Sequence, residues 1–297
     1  MNRFFLLLCN VFLVSTACTL QPETGTAIPS PLPALASSPT FPQEILSTFQ
    51  SNTTLPLPTS TGLPNLQVCS PLQDIPLDQA PSLVSNPYHP PPPGSDDPHH
   101  GVDLAVSLPN NAVAVSGHPV QAALRGKVAA VINDRFPYGN AVIIETPLED
   151  APAEWWQPAQ IPATAPTIEY RSALTCPSAA QQQQRNESSG GTGVPIDSTR
   201  RSLYVLYAHL LQPVAMNIDD AVACGQVFGA VGSSGNALNP HLHFETRVGP
   251  SGMTFTSMAH YDNSATSGEM SSYCLWRING LFQLVDPLKV LALSSTE

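Results

Sequence analysis

Residues 241–248 read His-Leu-His-Phe-Glu-Thr-Arg-Val, and this stretch decides how the chain folds. Side chains of an extended strand alternate between its two faces, so His241 and His243 share one face while Leu242 points to the core. The stretch therefore predicts a strand that carries two imidazoles side by side on one surface.

Other short runs rich in β-forming residues lie along the chain and are separated by Gly, Asn and Pro turns. Few segments are long enough to form an amphipathic helix. Two stretches, at about 147–200 and 250–280, break this rhythm and are expected to be long insertions, which are more often functional or disordered than structural. The pattern predicts a mostly β, antiparallel domain over residues 66–297. The runs comprise residues 113–115, 126–132, 141–145, 202–207 and 226–231.

Residues 1–17 predict a signal peptide. Arg3 supplies a positive charge, residues 4–14 form an apolar run too short to span a bilayer, and small residues at 15–17 precede Cys18. Small-x-small-Cys resembles the lipobox of bacterial lipoproteins, in which the cysteine is acylated. We therefore expect an extracytoplasmic lipoprotein, anchored to the membrane of the bacterial cell envelope through Cys18. The alternative is ordinary secretion with cleavage at the same bond, and both interpretations place the protein outside the cytoplasm.

Residues 18–65 are rich in Pro, Ser and Thr, carry almost no charge and show no sustained hydrophobic period. Such a chain reaches roughly 40 Å as a coil, and proline stiffness extends it further. We expect a lipid-anchored linker that holds the folded domain away from its membrane.

The chain is acidic, with a formal net charge of -11 from 11 Lys plus Arg against 22 Asp plus Glu. This balance provides no basic surface for phosphate backbones, which argues against a nucleic-acid partner. It also gives no attraction to an anionic polymer. Substrate binding must therefore depend on local shape, hydrogen bonding or a metal.

Four cysteines remain outside the predicted signal peptide and lipid anchor. None of them forms a C-x-x-C metal motif, and their number is even. In an oxidising compartment they favour two disulfides, for which three pairings are possible. Free buried thiols are the alternative. The four are Cys69, Cys176, Cys224 and Cys274.

Three more residues with metal-binding or proton-transferring side chains accompany His241 and His243. His99 and Asp103 are four apart and share a face if the chain is extended, and His209 ends an apolar run where a strand meets a loop. A catalytic zinc ion needs three His or carboxylate ligands and an open fourth position for water. Two histidines and one aspartate meet that need, and two further histidines could transfer protons and stabilise an oxyanion.

Several motifs in this order resemble peptidase family M23, the LytM and lysostaphin type of metallopeptidase. The resemblance covers most of 97–148 and 201–248, and residues 286–287 (Asp-Pro) resemble the closing segment of the family. The resembling motifs are residues 99–103 (His-His-Gly-Val-Asp), 117–122 (Gly-His-Pro-Val-Gln-Ala), 138–144 (Tyr-Gly-Asn-Ala-Val-Ile-Ile), 207–210 (Tyr-Ala-His-Leu), 225–229 (Gly-Gln-Val-Phe-Gly), 232–236 (Gly-Ser-Ser-Gly-Asn) and 240–245 (Pro-His-Leu-His-Phe-Glu).

The resemblance implies a β-sheet domain of the duplicated-hybrid-motif-like type and a zinc-dependent endopeptidase that cuts peptide bonds in peptidoglycan. His99, Asp103 and His243 would be the ligands of Zn2+. His209 and His241 would assist the water and the transition state. A monomer is expected, with a peptidoglycan peptide as its substrate. The alternative is a non-catalytic lipoprotein that binds the wall or activates an amidase, but relatives of that kind lose metal ligands and this chain keeps all of them.

Some residues near these motifs have two interpretations. Glu245 shares a strand face with His243 and could orient an imidazole, or it could be a plain surface charge. Aromatic residues of the first insertion could form a wall of the cleft or could pack on their own domain; they are Trp155, Trp156 and Tyr170. His100 is expected to be a bystander, because Gly101 and strand parity favour His99 as the ligand. The remaining histidines are expected to be structural: His89, His118 and His260.

Overall fold

The computed structural model describes residues 66–92, 95–107, 113–163 and 199–295. Within these ranges the large sheet contains β1 (Val84–Asn86), β2 (Val102–Leu104), β4 (Gly126–Arg135), β5 (Gly139–Pro147), β6 (Arg201–Leu210), β7 (Ala221–Val222), β9 (Leu242–Pro250) and β10 (Gln283–Val285), while β3 (Pro119–Gln121) and β8 (Val227–Ala230) form a two-stranded sheet. The large sheet runs β1-β2-β9-β6-β5-β4-β7, and β10 also pairs with β9. All of these pairings are antiparallel. The mostly β, antiparallel fold expected from the sequence is confirmed.

The described residues all belong to one compact unit, Thr59–Glu297. The predicted signal peptide and linker, residues 1–65, lie outside the described residues, and the domain limits stay predictions. No helix in the described part of the chain is long and apolar enough to cross a bilayer. The predicted β-run at 113–115 is wrong as a strand: it pairs only through an isolated bridge from Ala114 to Ser107, because no neighbouring strand extends a ladder along it.

The central strands are buried on both faces, which explains why their sequences are almost continuously apolar. In β6, Leu203, Val205 and Tyr207 enter one hydrophobic cluster, and the intervening Tyr204 and Leu206 enter a second cluster on the opposite face. The two-residue period of the strand thus divides the core into two layers, one on each side of the sheet.

The first layer lies between the large sheet and the small one. It is covered by β3, β8, the segment 66–83 and a short helix, α2 (Pro287–Leu291). Asp286 caps α2, because its carboxylate accepts a hydrogen bond from the Leu288 N–H at 3.0 Å.

The second layer is covered by residues 251–282, which include α1 (Ser267–Arg277). This stretch was expected to be an irregular insertion, and the helix within it was missed. The start of the helix is nevertheless indicated in the sequence by Thr266 and Glu269, which form a capping box. The Thr266 hydroxyl accepts a hydrogen bond from the Glu269 N–H at 3.2 Å, and the Glu269 carboxylate accepts one from the Thr266 N–H at 2.9 Å. The buried side chains of α1 are Tyr273, Cys274 and Trp276, and the two aromatic ones join the hydrophobic cluster of the second layer.

The described part of the first insertion packs on its own domain. Two 3-10 turns, Leu148–Asp150 and Ala153–Ala159, follow β5. Trp156 is buried and donates its indole N–H to the Leu148 carbonyl at 2.8 Å, while Trp155 packs edge-on against it with ring centroids 4.6 Å apart. Tyr170 lies outside the described residues.

Cys69 and Cys224 form a disulfide with Cα atoms 5.7 Å apart across a sequence separation of 155 residues. The bond ties the segment 66–83 to the turn before β8. Cys274 is buried in α1. A second disulfide would involve Cys176, which lies outside the described residues, so the expectation of two disulfides stays a prediction.

Candidate metal centre

Sheet register brings two of the predicted metal ligands together. Residues Asp103 and His243 are directly opposite each other in the β2–β9 pair. His99 lies in the loop before β2, where its backbone N–H and carbonyl both bond to His89, at 3.1 and 3.0 Å. Gly101 makes the loop possible, because a Cβ at that position would lie 2.6 Å from the Phe244 carbonyl oxygen.

Three acceptor atoms converge at this point. His99 Nε2 lies 3.1 Å from Asp103 Oδ1 and 3.2 Å from His243 Nδ1, and His243 Nδ1 lies 2.9 Å from Asp103 Oδ1. Among the described residues this is the group of three His, Cys or acidic side chains whose ligand atoms all lie within 4.8 Å of one another. Two imidazoles and one carboxylate form a donor set typical of a catalytic zinc site.

The outer hydrogen bonds assign the tautomers of both imidazoles. His99 Nδ1 lies 2.9 Å from the Pro87 carbonyl, so it carries the proton and leaves Nε2 as a lone pair. His243 Nε2 lies 3.2 Å from Glu245 Oε2, which likewise leaves Nδ1 as a lone pair. Two lone pairs and a carboxylate oxygen then face one another, and they repel unless positive charge lies between them. The site fits a divalent cation.

The second oxygen of Asp103 is also held in place, since the Asn86 side chain on β1 donates to Oδ2 at 3.1 Å. Because Asn86 holds Oδ2, Asp103 presents its other oxygen, Oδ1, to the centre. Sequence reasoning missed Asn86, because its contact with Asp103 depends on strand pairing.

His209 and His241 lie beside the three convergent atoms. Their ring centroids are 4.8 Å apart, and the His209 ring is 5.8 Å from that of His243. His209 Nδ1 bonds to the Ser234 carbonyl at 2.8 Å, and His241 Nδ1 bonds to the Asn239 carbonyl at 2.8 Å. In both rings Nε2 is the free nitrogen for proton transfer, and His241 Nε2 lies 3.5 Å from Asp103 Oδ1.

His209 is held in an uncommon backbone conformation. It is the penultimate residue of β6 and has φ of 60°, in the left-handed region that side chains other than glycine rarely adopt. Its N–H donates to the Tyr138 carbonyl at 3.0 Å. Burial lowers the pKa of His209 to about 3, so the ring is neutral at neutral pH. Backbone strain of this kind is common where a side chain must be aimed at a functional site.

The turns around His209 approach each other too closely for side chains. A Cβ on Gly139 would lie 2.4 Å from the carbonyl carbon of Ser234, and Gly139 itself has φ of +68°. The Ser234 hydroxyl accepts from Asn140 N–H at 2.9 Å and donates to the Leu210 carbonyl at 2.8 Å. These contacts fix the carbonyl that orients His209.

Glu245 is completely buried, so the interpretation of this residue as a plain surface charge is wrong. It accepts from His243 and pairs with Arg247, the next residue on the same face of β9. Burial alone would raise the pKa of Glu245, but Arg247 and His243 outweigh burial and keep that pKa well below its usual range. The alternation His243, Glu245, Arg247 was visible in the sequence, although the role of Arg247 was not recognised.

His100 is fully buried beside this network and is not one of the three residues whose ligand atoms converge. Burial, together with the adjacent cation of Arg247, lowers the pKa of His100 to about 2. Its Nδ1 accepts from Arg247, so it belongs to the support beneath the site. His118 bonds to the Gln73 carbonyl at 2.8 Å, outside the five-residue group.

The amino-acid sequence of the chain matches one family profile. The profile of Peptidase family M23 matches residues 179–255, which contain His209, His241 and His243. Over this segment the chain is similar to peptidase family M23. The matched segment is about a quarter of the chain, and His99 and Asp103 precede it.

Solved structures with which this chain aligns include the following three. The catalytic domain of the prophage-encoded M23 protein EnpA from Enterococcus faecalis is 19% identical, with 57% of this chain and 82% of that chain covered and a TM-score of 0.30. The catalytic domain of lysostaphin from Staphylococcus simulans is 21% identical, with 72% and 97% covered and a TM-score of 0.33. A zinc-containing peptidase from Vibrio cholerae is 19% identical, with 55% and 32% covered and a TM-score of 0.28. No curated protein matches the chain.

Proposed function

We propose that this chain is a zinc-dependent endopeptidase that hydrolyses peptide bonds in peptidoglycan at the bacterial cell envelope. The observation that carries the proposal is the convergence of His99 Nε2, Asp103 Oδ1 and His243 Nδ1 within 4.8 Å of one another. The match of residues 179–255 to the profile of Peptidase family M23 supports the reaction class. Two more histidines beside the three ligands supply what a non-catalytic metal site does not need.

A neighbour holds each of the three proposed ligand side chains by a hydrogen bond. The Pro87 carbonyl holds His99 at 2.9 Å, Glu245 holds His243 at 3.2 Å, and Asn86 holds Asp103 at 3.1 Å. A zinc ion held by them would polarise the scissile carbonyl and activate a water molecule. Side chains that are already held in place lower the entropic cost of binding a metal ion.

His209 and His241 are proposed to transfer protons rather than to bind the metal. Each ring commits Nδ1–H to a backbone carbonyl, so Nε2 is the atom that accepts a proton and later returns it to the leaving amine. A protonated ring on this side also stabilises the negative charge that develops on the carbonyl oxygen.

Export and lipid anchoring through Cys18 form a separate part of the proposal. The support is the sequence alone: a short apolar run followed by small residues and a cysteine. We expect Cys18→Ser to release the protein from the membrane fraction into the medium. A variant that stays bound, or mature wild-type protein without acyl mass, contradicts the anchor and leaves the peptidase proposal untouched.

Metal analysis beside a peptidoglycan turnover assay tests the roles of the five residues. His243→Ala and Asp103→Ala should lose zinc and activity together, because two remaining ligands hold the ion weakly. His209→Ala and His241→Ala should keep close to one zinc per chain while turnover falls by about 10²- to 10⁴-fold, the usual contribution of general acid or base catalysis.

His118→Ala serves as the matched control, since its imidazole bonds to a backbone carbonyl away from the group. It should keep both zinc and turnover. Zinc binding by the wild-type chain without any release of peptidoglycan fragments would contradict the peptidase and favour the non-catalytic, wall-binding alternative. Loss of zinc in the His209 variant would overturn the division of roles.

A further inference from the structure

The segment 251–282, whose role the sequence leaves open, covers the face of the sheet that carries the metal ligand His243. On β9 the side chains of His243, Glu245 and Arg247 project to this face, because their β6 partners Ala208, Leu206 and Tyr204 do so, and the latter three belong to the cluster beneath α1. The last turn of α1 therefore lies close to the support of the metal centre.

Arg277, at the end of α1, is the residue that makes this connection. It is partly buried, and its guanidinium packs against two tyrosine rings, 5.8 Å from the Tyr138 centroid and 5.7 Å from the Tyr273 centroid. Its three nitrogens are all used. Nε pairs with the Asp96 carboxylate, Nη2 donates to the Asp96 backbone carbonyl at 3.2 Å, and Nη1 donates to the Tyr138 hydroxyl at 3.1 Å.

Two nitrogens of Arg277, Nε and Nη2, bind the loop that carries His99. Asp96 lies three residues before His99 and is held by Arg277 through both its side chain and its carbonyl. The other carboxylate oxygen of Asp96 accepts from the hydroxyls of Tyr273 and Tyr261 at 2.7 and 2.8 Å. This anchorage comes from the segment 251–282 and adds to the backbone bridge between His99 and His89.

The third nitrogen, Nη1, connects Arg277 to His243 through Tyr138 and Glu245. The Tyr138 hydroxyl, which accepts from Arg277, donates to Glu245 Oε2 at 3.5 Å, and the same oxygen accepts from His243 Nε2 at 3.2 Å. The donors run in one direction, from the guanidinium through the phenol to the carboxylate. One guanidinium thus touches the supports of ligands that are 144 residues apart in the chain.

We propose that Arg277 is a positioning residue that holds the His99 loop and the His243 support in register, so that α1 sets the affinity of the centre for zinc. This inference rests on the proposed zinc site and assigns a role to the segment 251–282. A guanidinium suits this role because its rigid fork satisfies three acceptors at fixed angles, which a flexible or shorter side chain does not do.

The test compares two arginines that both secure α1. Arg277→Gln removes the fork beside the metal centre. Arg135→Gln removes a bidentate pair with Glu269, at 2.7 and 2.8 Å, which ties the first turn of α1 to β4. Both variants should lower the melting temperature of the full-length chain, but only Arg277→Gln should weaken zinc binding, by about 10- to 100-fold in competition with a chromophoric chelator.

Cobalt substitution gives a readout that a general loss of stability does not change. The visible absorption of bound Co2+ should shift in Arg277→Gln, because the two imidazoles no longer hold their relative orientation, and should be unchanged in Arg135→Gln. If Arg277→Gln does not fold, Asp96→Asn removes the same ion pair from the loop side and should weaken zinc binding in the same way.

Equal melting losses with zinc dissociation constants within twofold of wild type for both variants would overturn the positioning role and leave the peptidase proposal standing. A parallel loss of zinc affinity in the Arg135 variant would also overturn it, since the effect would then belong to α1 as a whole. Wild-type protein that binds no zinc would overturn the proposed function and this inference together.

Discussion

The carboxylate of Glu245 offers the sharpest test of how the sheet supports the proposed metal centre. Glu245→Gln keeps the shape of the side chain but removes the charge that accepts from His243 and pairs with Arg247. An amide can still present its NH2 group to His243, in which case the imidazole changes tautomer and Nδ1 no longer carries the lone pair. Loss of such a supporting carboxylate typically weakens metal binding by about 10- to 100-fold.

The expected magnitude follows from linkage. A 10- to 100-fold weaker dissociation constant removes about 1.4 to 2.7 kcal/mol of the stabilisation that zinc confers on the folded chain. For a domain of this size, about 1 kcal/mol corresponds to about 2 to 4 °C in melting temperature. The zinc-dependent rise in melting temperature should therefore shrink by about 3 to 11 °C in the variant.

The assay is thermal unfolding of each protein with a chelator and again with excess zinc. The difference between the two midpoints isolates the metal contribution from the separate cost of leaving Arg247 without its buried partner, which lowers both midpoints. Glu145→Gln is the matched control, because Glu145 lies on β5 and accepts from Ser202 and Gly252 at 2.7 and 2.6 Å, with no contact to the imidazoles. An unchanged zinc increment in Glu245→Gln would refute the supporting role.

Three further predictions concern the framework. Gly139→Ala should lower the free energy of unfolding, measured in urea, by more than Gly252→Ala does. Both glycines have positive φ, which costs an alanine about 1 to 2 kcal/mol, but of the two only Gly139 has a backbone atom 2.4 Å from the added Cβ. Equal losses would contradict the steric argument. Burial alone would raise the pKa of Glu269, but its arginine partner on β4 and the helix cap outweigh burial and lower the pKa to about 2. The stability that Glu269 contributes is thus complete above pH 4.5 and lost as the pH falls toward 2, and a melting-temperature profile should show a smaller acid loss in Glu269→Gln, whereas parallel profiles would exclude this group. Replacing Cys69 and Cys224 together by Ala should lower the free energy of unfolding by about 3 to 5 kcal/mol, given the 155-residue separation, and an unchanged urea midpoint would contradict the cross-link.

Much of this protein can be read from local patterns in its sequence. The two-residue period of 241–248 and the apolar runs at 126–132, 141–145 and 202–207 determine strands, because alternation of side chains is a property of each strand by itself. Histidine and aspartate at 99, 103, 209, 241 and 243 identify the candidate donors for the same reason: their chemistry belongs to the residue and does not depend on its neighbours. Their metal-binding and catalytic roles stay predictions.

Tertiary structure decides how these donors are oriented and supported. The contact of Asn86 with Asp103 requires the pairing of β1 with β2, and the contacts of Arg277 with Asp96 and Tyr138 require α1 to pack on the second face of the sheet. A sequence pattern reports preferences over a few neighbouring residues, whereas these hydrogen bonds join residues up to 181 positions apart. Such pairs form because burial of the apolar faces brings them together, and no local periodicity records them.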